Sequence, residues 1–341
     1  MNKNIIDILY PDYKEKMLQR YNILNEIKMN NNIGRRKLSN ILNLNERLIR
    51  NETEKLFQMN LIIIEQVGMN ITKEGIAVLD EASDFIKDLY SHEELSQKIK
   101  NLLGIKKVII SQGSIYESNG RLELAKVSSN YFLKNIKNNM IIGITGGSTI
   151  GQTIENIQTN KSFSDIVIVP VRGSLMGSVK NQTNILAVKL AEKLNSKYAN
   201  FYLPDDFDLD NLKDISKLPE VQKTLNLINH LDLLVFGIGD ALKMANRRLL
   251  SEKEKNLLIE NNAVAEAFGN YFDINGNIVL KSKSIGISLE QFLNVKDVIA
   301  IAGDDEKEKA IIAISEVRKD ITLIITEECA KKIIELKDSN I

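Results

Sequence analysis

From Lys107 onward, six short segments of the chain are almost uninterruptedly apolar: KVIIS (107–111), MIIGIT (140–145), IVIVPV (166–171), LDLLVFGIG (231–239), VIAIAG (298–303) and TLIIT (322–326). A strand with one face in water alternates apolar and polar residues, so runs of this kind need cover on both faces. Stretches with helical apolar spacing separate them. The alternation predicts an α/β fold: a Rossmann-like parallel sheet between two layers of helices. Ligands of such a sheet gather at the carboxyl ends of its strands.

The first 80 residues follow a different pattern. Met17, Tyr21, Leu24 and Ile27 recur at helical spacing from about Asp12 to Met29, and the Asn30–Gly34 stretch breaks the helix. A short second helix is expected with Leu38, Ile41 and Leu42 facing inward. Asn45 is placed to cap a third, from Glu46 to about Met59. LIIIEQVGMNIT then reads as two short strands around a turn at Gly68, and Thr72 can cap a further helix, with residues 75–103 forming a helical connector. Helix, short helix, turn, helix and hairpin is the order of a winged helix-turn-helix. The expected division is a DNA-binding domain with its connector at 1–88 and an effector domain at 89–341.

Charge placement supports that reading. The 341-residue chain has zero formal net charge, so affinity for nucleic acid has to come from a local patch. Segment 33–50 holds Arg35, Arg36, Lys37, Arg47 and Arg50 against a single acid, Glu46. On the third helix Arg47, Arg50, Asn51 and Glu54 fall on one stripe, while Ile49, Thr53 and Leu56 fall on another. Arg and Asn read guanine and adenine edges with two hydrogen bonds each, and the cations opening the second helix suit phosphates. Double-stranded operator DNA is the expected partner. Paired half-sites then require at least a dimer, with Ile5, Ile6, Ile8 and Leu9 as a candidate association surface.

One cysteine, Cys329, excludes an intrachain disulfide and a cysteine metal cluster; two distant histidines, His92 and His230, argue against a histidine site. Asp7 interrupts the short apolar run at the start, which is not read as a signal peptide, and no stretch has the length of a membrane span. A cytoplasmic location without cofactor or metal is expected.

The strand ends carry the candidate chemistry. Gly143-Ile144-Thr145-Gly146-Gly147-Ser148-Thr149 leads into a helix, so backbone N–H groups, two hydroxyls and a helix dipole converge where an anion could sit. Arg172 follows the third run, and Lys180, Asn181, Gln182 and Asn184 come soon after. Asp240 ends the fourth run, with Met244, Arg247 and Arg248 on the next helix; Glu266 and the stretch around Lys307 come later. Cations mixed with hydroxyls, amides and a few carboxylates suit a phosphorylated polyol. GIGDAL lacks the third glycine of a dinucleotide loop, and no GxxxxGK[ST] occurs. A sugar-phosphate isomerase or deaminase remains an alternative, with Glu266 or Asp240 as its base.

The stretches IGRRKLSNILNLNERLIRNETEKL, TGGSTI, VPVRG, VKNQTN, GIGDALKMANRR and AVAEAFGNYF, in that order over both domains, resemble the SorC/DeoR-type bacterial sugar regulators. The resemblance implies a repressor of a glycolytic operon, with no enzymatic activity, that assembles as a homodimer or homotetramer on DNA. Its effector domain would share the fold of glucosamine-6-phosphate deaminase and ribose-5-phosphate isomerase. Those deaminases continue the GIG loop with a Gly-His pair; here Asp240-Ala241-Leu242 follows. The resemblance further implies fructose-1,6-bisphosphate as effector, lined by Gly146, Gly147, Ser148, Thr149, Arg172, Lys180, Gln182, Arg247 and Glu266.

Overall fold

In the computed structural model, residues 12–114, 116, 120–161, 163–173, 179–201, 218–281, 285–303 and 306–339 are described. Ile5, Ile6, Ile8 and Leu9, the candidate association surface, lie outside them. The chain falls into two compact units, Met1–Ser91 and His92–Ile341.

In the first unit α1 (Tyr13–Met29), α2 (Arg35–Leu42) and α3 (Glu46–Gln58) precede an antiparallel hairpin, β1 (Ile62–Glu65) and β2 (Gly68–Ile71). Asn45 caps α3, its side-chain oxygen accepting from the Arg47 N–H at 2.8 Å. Thr72 caps the next helix, α4 (Lys73–Leu103), through the Gly75 N–H at 2.9 Å. Ile23, Leu24, Ile27, Leu38, Ile49, Leu56, Ile62 and Met69 make the core. Ile41 departs from expectation. It is 45% exposed, because α2 turns Ser39 inward instead, where the hydroxyl donates to the Leu44 carbonyl. Glu52 is buried on α3 and accepts from Arg20 and Lys55, both at 2.6 Å. Burial opposes its charge, but these two cations outweigh burial and lower its pKa.

The second unit is built on a seven-stranded sheet in the order β3-β13-β12-β7-β4-β5-β6, parallel throughout. Six of its strands are the six apolar runs: β3 (Lys107–Ser111), β4 (Ile141–Ile144), β5 (Val167–Pro170), β7 (Leu233–Gly237), β12 (Asp297–Ala302) and β13 (Thr322–Thr326). The seventh, β6 (Lys197–Tyr198), is a two-residue edge. Helices α5 (Gly120–Asn135), α6 (Ser148–Glu155), α7 (Thr183–Leu194), α8 (Pro219–Ile228), α9 (Ala241–Arg247), α10 (Glu252–Glu260), α11 (Leu289–Asn294), α12 (Glu308–Val317) and α13 (Glu327–Asp338) connect them. One apolar cluster gathers around Phe236, Phe268 and Phe292; another gathers around Ile142, Ile168, Leu190 and Ile324. Covered by both, the central strands bury nearly every side chain, which is why their sequences do not alternate.

A second sheet has no counterpart among those runs. It is antiparallel, β11-β10-β9-β8, formed by β8 (Gly239–Asp240), β9 (Ala265–Ala267), β10 (Asn270–Phe272) and β11 (Ile278–Lys281). Strands this short do not reveal a period in sequence.

At the carboxyl edge of β13, Glu327 opens α13 and accepts from Lys331 at 2.7 Å and His92 at 3.1 Å. Burial alone would raise its pKa; the lysine, the histidine and the Gly113 N–H override burial and hold it at about 2. A folded-state pKa below the unfolded one contributes stability above the ordinary carboxylate range that is lost as pH falls through it. Glu327→Gln is therefore expected to cost about 1–2 kcal/mol near neutral pH, kept modest by partial solvation. Urea unfolding should show that gap closing as pH drops from about 4.5 toward 2; a gap independent of pH would contradict the linkage.

Candidate functional site

Along the sheet, β4 and β5 run toward one edge while β7, β12 and β13 run toward the other, so the chain reverses direction between the neighbours β4 and β7. That crevice, at the carboxyl ends of the strands, is where an open α/β sheet offers a ligand site. The strands stay paired up to its rim: Thr145 N–H donates to the Val235 carbonyl, and the Thr145 hydroxyl accepts from Gly237 N–H at 3.3 Å.

A cavity of about 440 Å³ opens there, within the usual range for small-molecule sites. Eight of the nine expected residues line it: Gly146, Gly147, Ser148, Thr149, Arg172, Gln182, Arg247 and Glu266. Lys180 does not. It points to Glu155, 3.1 Å away, and its side chain is 66% exposed. Thr145, Asn181, Thr183, Asp240, Lys243, Arg248 and Lys307 complete the polar wall. Arg248 and Lys307 were placed at the strand ends by the sequence without being among the nine; Lys243 and Thr183 carried no signal beyond lying in the stretches GIGDALKMANRR and VKNQTN.

Two glycines shape the loop before α6. A Cβ on Gly146 would come within 2.8 Å of the Asn181 carbonyl oxygen, so the loop lies directly on the turn at Val179–Asn181. Gly147 has φ +116°, where side chains are strained, and its N–H donates to that same Asn181 carbonyl. Gly147 is the N-cap of α6 and supplies no side-chain cap. The first N–H groups of α6 thus reach the cavity without a side-chain cap over them.

Also in the lining, Glu266 on β9 is buried between two buried guanidiniums. Its Oε1 accepts from Arg248 at 3.2 Å and from Gly269 N–H at 2.7 Å, and lies 3.7 Å from Arg172 Nη1. Arg172 is fixed from behind by a bridge to Gly286, whose Cβ, if present, would fall 2.3 Å from the Val171 oxygen. The two guanidiniums, gathered about one carboxylate in the cavity's lining, are groups that can bind an anion. Asp240, a candidate base in sequence, serves as N-cap of α9 and accepts from Lys243 N–H at 2.8 Å. Neither histidine lines the cavity: His92 pairs with Glu327, and His230 meets the Asn226 carbonyl.

In the first unit Arg47, Arg50, Asn51 and Glu54 form an exposed stripe on α3, with Ile49, Thr53 and Leu56 buried behind it. Arg36 and Lys37 are exposed on α2, and Arg35 is half-buried. Two ion pairs span these helices, Arg35–Glu54 at 3.7 Å and Arg36–Glu46 at 3.5 Å.

Comparison with known proteins bears on both units. The profile of the sugar-binding domain family matches residues 87–335, and that of the CggR N-terminal DNA binding domain matches residues 17–86. The chain belongs to the SorC family of sugar-binding transcription regulators. This regulator is 33% identical over 327 residues to the central glycolytic genes regulator of Bacillus subtilis, covering 96% of each chain. Against the protein of the same name from Priestia megaterium the figures are 34% over 329 residues, again 96% of each. The full-length sorbitol operon regulator SorC from Klebsiella pneumoniae shares the fold at a TM-score of 0.67, with 17% identity over 95% of this chain and 99% of that one. These relatives are transcription regulators, not enzymes. No helix among the described residues is long and apolar enough to cross a membrane.

Proposed function

We propose that this regulator acts in the cytoplasm as the repressor of a glycolytic operon and that fructose-1,6-bisphosphate, bound in the β4/β7 crevice, alters its hold on operator DNA. The domain division expected from sequence, 1–88 and 89–341, assigns DNA to the first part and the sugar to the second. The observation that carries the effector reading is the cavity's lining: Arg172 and Arg248 about Glu266, the Ser148–Thr149 helix start, and Lys243, Arg247 and Lys307. A sugar with two phosphates can engage the helix start with one and the arginine pair with the other, whereas a monophosphate can engage only one of them. The glycolytic target rests on the names of the two bacterial relatives.

For DNA, Arg47, Arg50 and Asn51 are assigned to base edges and Arg35, Arg36 and Lys37 to phosphates. Two-fold operators then need a homodimer or homotetramer.

Calorimetry with fructose-1,6-bisphosphate and fructose-6-phosphate, alongside operator titration with and without each sugar, tests the scheme. The bisphosphate should bind more tightly and change operator affinity by about 5–150-fold, the usual range of coupling between two sites. Equal binding of the two sugars would remove the two-phosphate reading. Unchanged operator affinity would remove the sensor.

A further inference from the structure

We infer that Glu46 and Glu54 are specificity determinants of the DNA-binding face: they hold Arg36 and Arg35 away from arbitrary phosphates, so that non-specific binding stays weak. The inference rests on the assignment of α2 and α3 to DNA.

The assigned face gathers its cations on two neighbouring helices: Arg35, Arg36 and Lys37 on α2, Arg47, Arg50 and Lys55 on α3. The hairpin, residues 62–71, carries Glu65 as its only charged residue, so it offers no cation to a phosphate. The chain as a whole has zero net charge. Non-specific affinity arises from the phosphates that Lys and Arg neutralise, and on the assigned face those side chains come from α2 and α3. Two of the three cations that open α2 lie against carboxylates of α3, at 3.5 Å for Arg36–Glu46 and 3.7 Å for Arg35–Glu54. Both acids are mostly exposed, at 61% and 54%. Exposed pairs of this kind contribute little to stability, so their main effect is on the field that a duplex meets. Each carboxylate competes with phosphate for its arginine and repels the phosphate directly. Glu54 also closes the stripe of Arg47, Arg50 and Asn51, and Glu46 is the first residue of α3. Only a duplex that satisfies the base-reading side chains offsets the loss of both pairs. The acids thereby widen the gap between chosen and arbitrary sequences.

The test uses the full-length protein and two fluorescent duplexes, one of random sequence and one selected from a random pool by the wild type, titrated across a range of salt. Glu46→Gln with Glu54→Gln should raise affinity for the random duplex about 3–10-fold and steepen its salt dependence by roughly one to two counterions. Affinity for the selected duplex should change less, so the ratio between the two falls. Glu74→Gln with Glu81→Gln removes the same two charges from exposed residues of α4 without releasing an arginine, and should have little effect. An unchanged random-duplex affinity in the Glu46→Gln, Glu54→Gln variant, or an equal rise in the α4 variant, overturns the inference. Arg50→Ala tests the underlying assignment separately. If it leaves affinity for the selected duplex intact, α3 is not the DNA face and the inference falls with it.

Discussion

Glu266→Ala is expected to lower the unfolding free energy by about 3–5 kcal/mol, the usual cost of deleting one partner from a buried charge pair. Glu266 and both of its arginine neighbours are at most 6% exposed, and water entering the vacated space would offset the lost charge only in part. The substitution also takes the acceptor from Gly269 N–H, which holds the β9–β10 turn. Glu266→Gln keeps an acceptor in that place and should cost less, which separates loss of charge from loss of the hydrogen bond. Urea unfolding of the three proteins measures this, with and without inorganic phosphate. An anion that fills the vacated space stabilises the folded state in proportion to its concentration over Kd, so phosphate should protect Glu266→Ala more than wild type. A loss below about 1 kcal/mol would mean that the arginines are neutralised by other groups.

Under the proposed function, Arg172→Ala should weaken sugar bisphosphate binding by about 1.5–3 kcal/mol, the range for a lost hydrogen bond to a charged group, or roughly 10–150-fold. The variant should still bind operator, since Arg172 lies in the effector unit, but its response to the sugar should disappear. Because Arg172 also faces Glu266, some loss of folding stability accompanies the change. Arg172→Lys retains a cation near that carboxylate while losing the planar fork that matches phosphate. It should therefore fold like wild type and still bind the sugar poorly. Calorimetry and an operator titration on both variants provide the check. Wild-type affinity in Arg172→Lys would show that Arg172 does not grip phosphate.

Much of the architecture was legible in the amino-acid sequence. Six apolar runs became six parallel strands because a strand buried on both faces tolerates almost nothing polar. Asn45 and Thr72 announced helix starts because their oxygens accept from N–H groups two and three residues on. Helical spacing separated the buried Ile49, Thr53 and Leu56 from the exposed arginines. These are local effects, and local effects survive in a linear string. Glycines and hydroxyls after β4 likewise marked the cavity, since close backbone approach and a positive φ both call for glycine.

Only the tertiary structure decided the rest, where the deciding partner is distant along the chain. Ile41 and Ser39 exchanged places because burial depends on which way α2 turns against its neighbours. Lys180 left the cavity because Glu155, 25 residues earlier by number, lies within reach. Glu266 gained its meaning from Arg172 and Arg248, and Arg35 and Arg36 gained theirs from acids on the next helix. The sequence by itself determined which segments become strands and helices and which loops are rich in donors. Which charges meet, and so which are spent on one another and which can act on a ligand, was decided by folding, because Coulomb interactions follow distance in space and not separation along the chain.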